Sequence, residues 1–319
     1  MVRRTYTLNN GGKLILTFDK GIDLEHYKSF VYSLKQLIIR ILNTEELIFH
    51  LRDIKIKFKS EEVSKAEKKF LISNQKQNIP DTIVTNGQIE FRFFILLEIR
   101  MLKGLTWFYK SLQRTLSHEL VHCVHYEINT GLRKLIKIQP ILSKKRELSF
   151  KQLRQFDTKI FLNIMDAFPY NIIKEGFARL FEKLKHDKLF FTKNSFNELY
   201  RDAMQSTELF MKIFNESKSI KSIGELHSFA KKYLITFFDE HDYKIGLHIT
   251  YSLLYLRKGS LDVNMKEITD EFVSFLGKLR PKRLFLEYEI LMKQNSLQPV
   301  MGYTSGAYLN FKEIQQQWR

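Results

Sequence analysis

The chain has 319 residues, of which 44% are hydrophobic, and it contains only 13 Gly and 5 Pro. The apolar fraction supports a substantial core and excludes a disordered chain, while the scarcity of Gly and Pro indicates long regular elements, chiefly helices. The formal net charge of +17 is compatible with a nucleic acid, an acidic membrane surface or an acidic substrate as partner.

Cys123 is the only cysteine, which excludes an intrachain disulfide and a cysteine-based zinc site. No uninterrupted apolar stretch of about 18 residues is present, and no apolar run of a signal peptide follows Met1-Val2-Arg3-Arg4. We therefore expect a cytoplasmic protein without a membrane span. The charge makes a nucleic-acid partner possible, but no nucleic-acid motif supports it.

The first part of the chain mixes strand and helix signals. The turn sequence Asn9-Asn10-Gly11-Gly12 lies between two apolar segments and predicts a β-hairpin. Asp23 is predicted to cap a helix that carries Phe30, Leu34, Leu37, Ile38 and Ile41 on one face. Further on, Ile54, Ile56 and Phe58 alternate with lysines, which predicts a half-buried strand.

A second hairpin is predicted where Asn86-Gly87 separates residues 82–85 from residues 88–93. Asn-Gly suits a two-residue turn in which both residues adopt positive φ. A strand at this place is either an ordinary structural hairpin or the rim along which a peptide pairs through its backbone.

His118-Glu119-Leu120-Val121-His122 follows the second hairpin and spells H-E-x-x-H, a helical motif in which two histidines bind zinc beside a glutamate base. An apolar stripe recurs every four residues around it, at Phe108, Leu112, Leu116, Leu120 and Val124. On a helix, His118 lies about 200° from Leu116 and about 40° from His122. The histidines are therefore predicted to point off the core face, toward a cleft.

His125 lies near the same helical face as His118, but it is about 10 Å further along the axis. A single ion at zinc–nitrogen distances cannot reach both ends of that span. His125 is therefore predicted to line the cleft or to support a ligand, and Cys123 is predicted to be a small buried hydrophobe.

After residue 135 the strand signal fades, and helical spacing appears at 148–166, 170–186, 194–216, 222–238, 242–257 and 265–295. Residues 143–150 are polar and basic, as a connection between lobes would be. The predicted fold class is α+β and predominantly helical. A small mixed α/β lobe (1–135) ends in the H-E-x-x-H helix, an all-helical lobe (136–319) carries the third ligand, and a zinc cleft lies between them.

A catalytic zinc has three protein ligands and one open position. The extended motif with a third histidine is absent, because position 125 is His rather than Gly and position 128 is Ile. The best remaining ligand is Glu175, whose small neighbours Gly176 and Ala178 would let two helices approach closely. Asp166 is the weaker alternative.

H-E-x-x-H followed by Glu175-Gly176-Phe177-Ala178 resembles the gluzincin zinc metallopeptidases, whose third ligand is a glutamate on a second helix. The resemblance covers about residues 80–185 at the level of motifs. It implies a Zn²⁺ cofactor bound by His118, His122 and Glu175, with Glu119 as the catalytic base and a peptide or protein as the substrate.

Thermolysin-type members carry an aspartate four residues after the ligand glutamate, where this chain has Arg179. A zinc histidine must then be oriented by another group, such as Glu182 or a backbone carbonyl.

Gluzincins often use a downstream Tyr or His to stabilise the oxyanion, and the candidates here are His241, Tyr243, His248, Tyr251 and Tyr303. Tyr243, near a predicted helix start, is the first choice.

The sequence thus predicts a zinc-dependent metallopeptidase that acts as an endopeptidase or an aminopeptidase. One alternative is a basic protein that binds nucleic acid and has a structural or vestigial zinc site. The other is a helical interaction protein in which the H-E-x-x-H string holds no metal.

Overall fold

The computed structural model describes residues 1–66, 68–69, 78–128, 158–187, 190–217, 241–258, 265–277 and 281–304, and also residues 219, 222, 224–225, 228 and 316. The chain forms two compact units. The first comprises Met1–Thr130 and Asn264–Gly277, and the second comprises Gly131–Val263 and Lys278–Arg319. The predicted lobe boundary at residue 135, the connection at 143–150 and most of the predicted helix at 222–238 lie outside the described residues.

The first unit contains a five-stranded mixed sheet. Its strands are β1 (Val2–Thr7), β2 (Lys13–Phe18), β3 (Asp53–Lys59), β4 (Ile83–Thr85) and β5 (Gln88–Arg92), in the order β1-β2-β3-β5-β4. Strands β2, β3 and β5 are parallel, and the two outer strands pair antiparallel with their neighbours. Both predicted hairpins and the predicted strand at β3 are confirmed. Asn86 and Gly87 have φ values of 54° and 71°, as the predicted two-residue turn requires.

One face of this sheet is apolar because alternate residues of each strand point to the same side. Phe18 lies opposite Phe58 in the pairing of β2 with β3, and Phe58 lies opposite Phe91 in the pairing of β3 with β5. The three rings stack in a row, with centroid separations of 4.7 and 6.1 Å. This cross-strand row fixes the register of the three parallel strands.

Helix α1 (Lys28–Leu42) connects the parallel strands β2 and β3. Its buried residues are Val31, Leu34, Ile38, Ile41 and Leu42, so the predicted apolar face is largely correct. The predicted cap is wrong. The Asp23 carboxylate accepts hydrogen bonds from the backbone N–H groups of Glu25 and His26, and it therefore caps the turn that precedes the helix.

The H-E-x-x-H motif lies on the long helix α2 (Phe93–Ile128), which is broken at Gly104, where φ is 79° and ψ is 171°. The predicted stripe is correct, since Phe108, Leu112, Leu116, Leu120 and Val124 are all fully buried. However, every residue from 115 to 125 is buried. The histidines lie off the stripe, as predicted, and they are buried as the stripe is, so this part of the helix is covered on all its faces.

The remaining helices are α3 (Thr158–His186), α4 (Lys193–Ser217), α5 (Asp242–Lys258), α6 (Met265–Gly277) and α7 (Pro281–Gln294). The predictions for α4 and α5 are confirmed, and the predicted segment 265–295 is two helices. Within the described residues, the predicted segments 148–166 and 170–186 belong to one helix, which continues through Pro169. A proline in a helix removes one backbone hydrogen bond, and the packing of α3 against α5 offsets that cost.

The fold class is therefore confirmed as mostly helical α+β, with the sheet and α1 in the N-terminal region and helices in the C-terminal region. Within the described part of the chain, none of the helices has the length and apolar character needed to cross a membrane.

Helices α3 and α5 cross at a pair of glycines in the second unit. A Cβ added to Gly176 would lie 2.7 Å from the Cα of Gly246, and a Cβ added to Gly246 would lie 3.0 Å from the Cα of Gly176. The Thr250 hydroxyl donates a hydrogen bond across this crossing to the Gly176 carbonyl, at 3.1 Å. The small residue beside Glu175 thus allows the backbone of α5 to approach α3.

We expect Gly246→Ala to destabilise the protein by about 1–3 kcal/mol, because the new methyl group must displace backbone atoms of α3. Denaturant unfolding of the two proteins measures the difference. Gly224→Ala is the matched control, since a Cβ at Gly224 meets nothing within 4 Å. Equal stability of Gly246→Ala and the wild type would contradict the proposed close crossing.

Candidate metal centre

His118 and His122 lie one helical turn apart on α2, and their side chains converge. Their Nε2 atoms are 3.2 Å apart, and the rings are nearly perpendicular, with centroids 4.8 Å apart. Both residues are buried, with exposed fractions of 6% and 5%. The helical spacing of four residues therefore produces the convergence that the sequence predicts.

The separation of these two nitrogens matches the geometry of a shared metal ion. Two nitrogen ligands at the zinc–nitrogen distance of about 2.0–2.1 Å, with a tetrahedral angle between them, are about 3.3 Å apart. A direct hydrogen bond between the two imidazoles also has a length near 3.2 Å. In either case both Nε2 atoms face the same point, and the pair could serve as two arms of a metal site.

Hydrogen bonds fix the helix next to the motif. The Ser117 hydroxyl donates to the carboxylate of Glu45 at 2.7 Å, and Glu45 is itself buried. The backbone N–H of Ile79 donates to the Thr115 hydroxyl at 2.8 Å. These bonds connect the turn that precedes His118 to two other segments of the first unit. The backbone that carries the His118 side chain is therefore held in place.

Cys123 is buried, as the sequence predicts, and His125 is buried beside His122. The His125 ring stacks beside the His122 ring, with centroids 6.2 Å apart and an angle of 22°. Cys123 is buried, and its thiol lies 3.7 Å from the Gly87 carbonyl. Burial, followed by the charges of Glu119 and Glu127, raises the pKa of Cys123 well above its ordinary value. The thiol is therefore a packed hydrophobic group rather than a ligand.

Glu175 lies on α3, and only 2% of the residue is exposed. Its Oε1 atom forms an ion pair with the Lys174 ammonium group at 2.8 Å, and Lys174 is also buried. A buried carboxylate is costly unless an opposite charge accompanies it. The neighbouring lysine therefore stabilises Glu175 in the ionised form, which is the form that binds a metal.

The position where thermolysin-type proteins have an aspartate is occupied by Arg179, which has its own partners. The guanidinium donates to the Glu182 carboxylate at 3.1 Å and lies over the Tyr243 ring, 5.1 Å from its centroid. Burial lowers the pKa of Arg179, but the charges of Glu182, Tyr243 and Glu175 outweigh it and raise the pKa above its ordinary value. Glu182, a candidate for orienting a zinc histidine, thus has Arg179 as a partner.

Of the described residues, His118, His122 and Glu175 form the group of buried His and carboxylate side chains that could hold a metal ion. This is the ligand set predicted from the sequence. The side chain of Asp166, the weaker alternative, lies outside the described residues. Glu119, the predicted base, lies between the two histidines in the motif and is buried, with 7% exposed.

The candidates for an oxyanion partner differ in their surroundings. Tyr251 donates to the carbonyls of Phe190 and Thr192, and His248 is bonded to the Tyr288 hydroxyl at 2.9 Å. Both side chains are therefore structural. Tyr243 lies in the first turn of α5, as predicted, against Arg179. The other two also have contacts, since His241 Nδ1 lies 3.1 Å from the Ser206 hydroxyl and Lys282 lies over the Tyr303 ring.

Lys174, Glu45 and Ser117 support the site and were not predicted from the sequence. Adjacent residues of a helix do not normally face each other, so the pairing of Lys174 with Glu175 has no signal in helical spacing. The bond between Glu45 and Ser117 joins residues 72 positions apart in the chain, and only tertiary structure reveals it.

Comparison of the chain with models of protein families, with curated proteins and with solved structures finds no match. The resemblance to gluzincins therefore rests on the motif residues and on the ligand group described above.

The burial of His248 makes the stability of the protein depend on pH. Burial lowers the pKa of His248 from 6.5 to about 3. As the pH falls below 6.5 the unfolded chain takes up a proton at this residue and the folded protein does not. The unfolding free energy is therefore not reduced by this residue above pH 6.5, and it declines as the pH falls toward 3. At pH 5 the loss is about 2 kcal/mol.

We expect the unfolding free energy of the wild type to fall by about 2 kcal/mol more than that of His248→Gln between pH 7.5 and pH 5. Denaturant unfolding of both proteins at the two pH values measures this difference. An identical pH dependence would show that His248 titrates normally and is open to solvent.

Proposed function

We propose that this protein is a zinc-dependent metallopeptidase in which His118, His122 and Glu175 hold the ion and Glu119 is the general base. The observation that carries the proposal is the pair of imidazole nitrogens 3.2 Å apart, on either side of Glu119 in a buried H-E-x-x-H helix. Two buried histidines and one buried glutamate form the His₂Glu donor set that catalytic zinc sites use.

The charges of the donor set also suit zinc. Two neutral imidazoles and one carboxylate reduce the charge of a divalent ion to a formal value of about +1, and three protein ligands leave the fourth position open. A structural zinc site normally has four protein ligands. A three-ligand set therefore favours a reaction centre over a purely structural one.

The chemistry follows from the residues beside the ion. When bound, zinc acts as a Lewis acid that makes a water molecule more acidic and polarises the carbonyl of the bond to be cleaved. Glu119, adjacent to a ligand, accepts the proton of the attacking water and passes it to the leaving amine. Because Glu119 is buried, its carboxylate is screened from bulk solvent during this transfer.

We assign oxyanion stabilisation to Tyr243, as the sequence predicts. The Arg179 guanidinium over its ring is a fixed positive charge that favours negative charge near the tyrosine hydroxyl. A peptide substrate can pair with the sheet edge at β4 rather than with β5, because β5 is already paired on both sides within the described sheet. A peptide or protein segment bound there would be in an extended conformation.

Metal content tests the ligand assignment. We expect the purified protein to bind about one zinc per chain, and His118→Ala and Glu175→Gln to bind it at least about 100-fold more weakly. Elemental analysis and competition with a chromogenic chelator measure content and affinity. His26→Gln, which removes an exposed histidine elsewhere in the chain, is the control, and it is expected to keep its zinc. Unchanged zinc binding in both His118→Ala and Glu175→Gln would contradict the assignment.

Hydrolysis tests the role of Glu119. We expect Glu119→Gln to lower the rate of peptide cleavage at least about 100-fold while zinc stays bound, because the amide cannot accept the proton of water. Cleavage of a mixture of quenched fluorescent peptides by the zinc-loaded protein gives the rate. Glu127→Gln, an exposed position on the same helix, is the control. Full activity in Glu119→Gln would overturn the mechanism, and a zinc-loaded wild type without activity would indicate a structural site.

A further inference from the structure

Helix α2 has an exposed apolar corner where it breaks at Gly104. Met101, Leu102 and Leu105 have exposed fractions of 71%, 44% and 47%. We call residues 101–105 the Gly104 corner. The positive φ of Gly104 lets the chain turn there, and a Cβ built at this glycine meets nothing within 4 Å. The corner is therefore a projection rather than a groove.

Exposed large apolar side chains are few in the described part of the chain, and three of the nine belong to this corner. Single exposed apolar residues are common on protein surfaces, but a contiguous group indicates an interaction site. The corner is not part of the core, since residues 101–107 are not buried and the next buried residue of the helix is Phe108. We call these three exposed side chains, which lie within five consecutive residues, the apolar tip.

The charged residues of helix α2 near this tip have a single sign. No acidic residue occurs between Glu98 and Glu119, whereas Arg100, Lys103, Lys110 and Arg114 all lie in that interval. Glu98 is itself paired with Lys68. Trp107 follows the corner and is half-buried, and tryptophan is enriched where apolar and aqueous phases meet. The tip thus combines apolar side chains, cations and an interfacial aromatic residue.

We propose that the Gly104 corner binds the surface of a bilayer rich in anionic phospholipid. The apolar tip enters the acyl region, and the neighbouring cations contact the acidic headgroups. A convex apolar tip suits a deformable lipid surface, whereas a partner protein would need a matching pocket. The uniform positive charge, within a chain of net charge +17, selects acidic lipid. This proposal does not depend on the metal site.

Co-sedimentation of the full chain with vesicles tests the proposal. We expect binding to vesicles that contain phosphatidylserine, and binding at least about tenfold weaker to pure phosphatidylcholine. Leu105→Asp is expected to weaken binding to the acidic vesicles at least about tenfold. Ile290→Asp is the matched control, because Ile290 is exposed to nearly the same extent, 46%, and it is expected to bind as the wild type does. Leu102→Asp repeats the test, and circular dichroism checks that each variant is folded.

Several results would overturn the proposal. Absence of vesicle binding by the wild type would do so, and so would unchanged binding by both corner variants. Equal binding to both lipid compositions would show that the cations do not select acidic lipid. Conversion of a wild-type dimer to a monomer by Leu105→Asp would show instead that the corner joins two copies of this chain.

Discussion

The burial of polar groups inside α2 is the constraint on which the rest of the structure depends. Ionisable and hydrogen-bonding side chains are costly in a protein interior unless other groups satisfy them. This helix nevertheless carries Ser117, His118, Glu119, His122 and His125, all buried. The neighbouring segments are arranged accordingly, with Glu45 against Ser117 and the chain at Ile79 bonded to Thr115. The first unit thus holds these polar groups in its interior at a cost in stability.

In the second unit, a single backbone contact positions several side chains of the candidate site. The crossing at Gly176 and Gly246 brings the start of α5 beside the turn of α3 that contains Glu175 and Arg179. Tyr243 precedes Gly246 by three residues, and its ring lies under the Arg179 guanidinium. The close approach of the two helices therefore determines the position of the Tyr243 ring relative to the Arg179 guanidinium.

Elements with strong local signals were predicted correctly from the sequence. The Asn86-Gly87 turn, the alternation in β3 and the four-residue stripe of α2 each depend on residues close in the chain. Features that depend on tertiary packing were missed. The pattern of α2 does not reveal that its polar face is also covered, and Pro169 does not end α3 because contacts with α5 stabilise the helix. The pairing of Lys174 with Glu175 likewise depends on a buried environment.

Helix α6 makes the first unit discontinuous along the chain. The chain leaves this unit at Thr130 and re-enters it at Asn264, where α6 packs against α2 and the 3₁₀ helix Glu46–His50. His50 pairs there with Asp270, and Ile268 and Thr269 are buried. The N-terminal unit therefore cannot complete its core during synthesis until residue 277 has emerged from the ribosome. A fragment ending at residue 130 would expose the apolar surface that α6 covers, so the helix that carries the two histidines completes its packing only after residue 277 has been made.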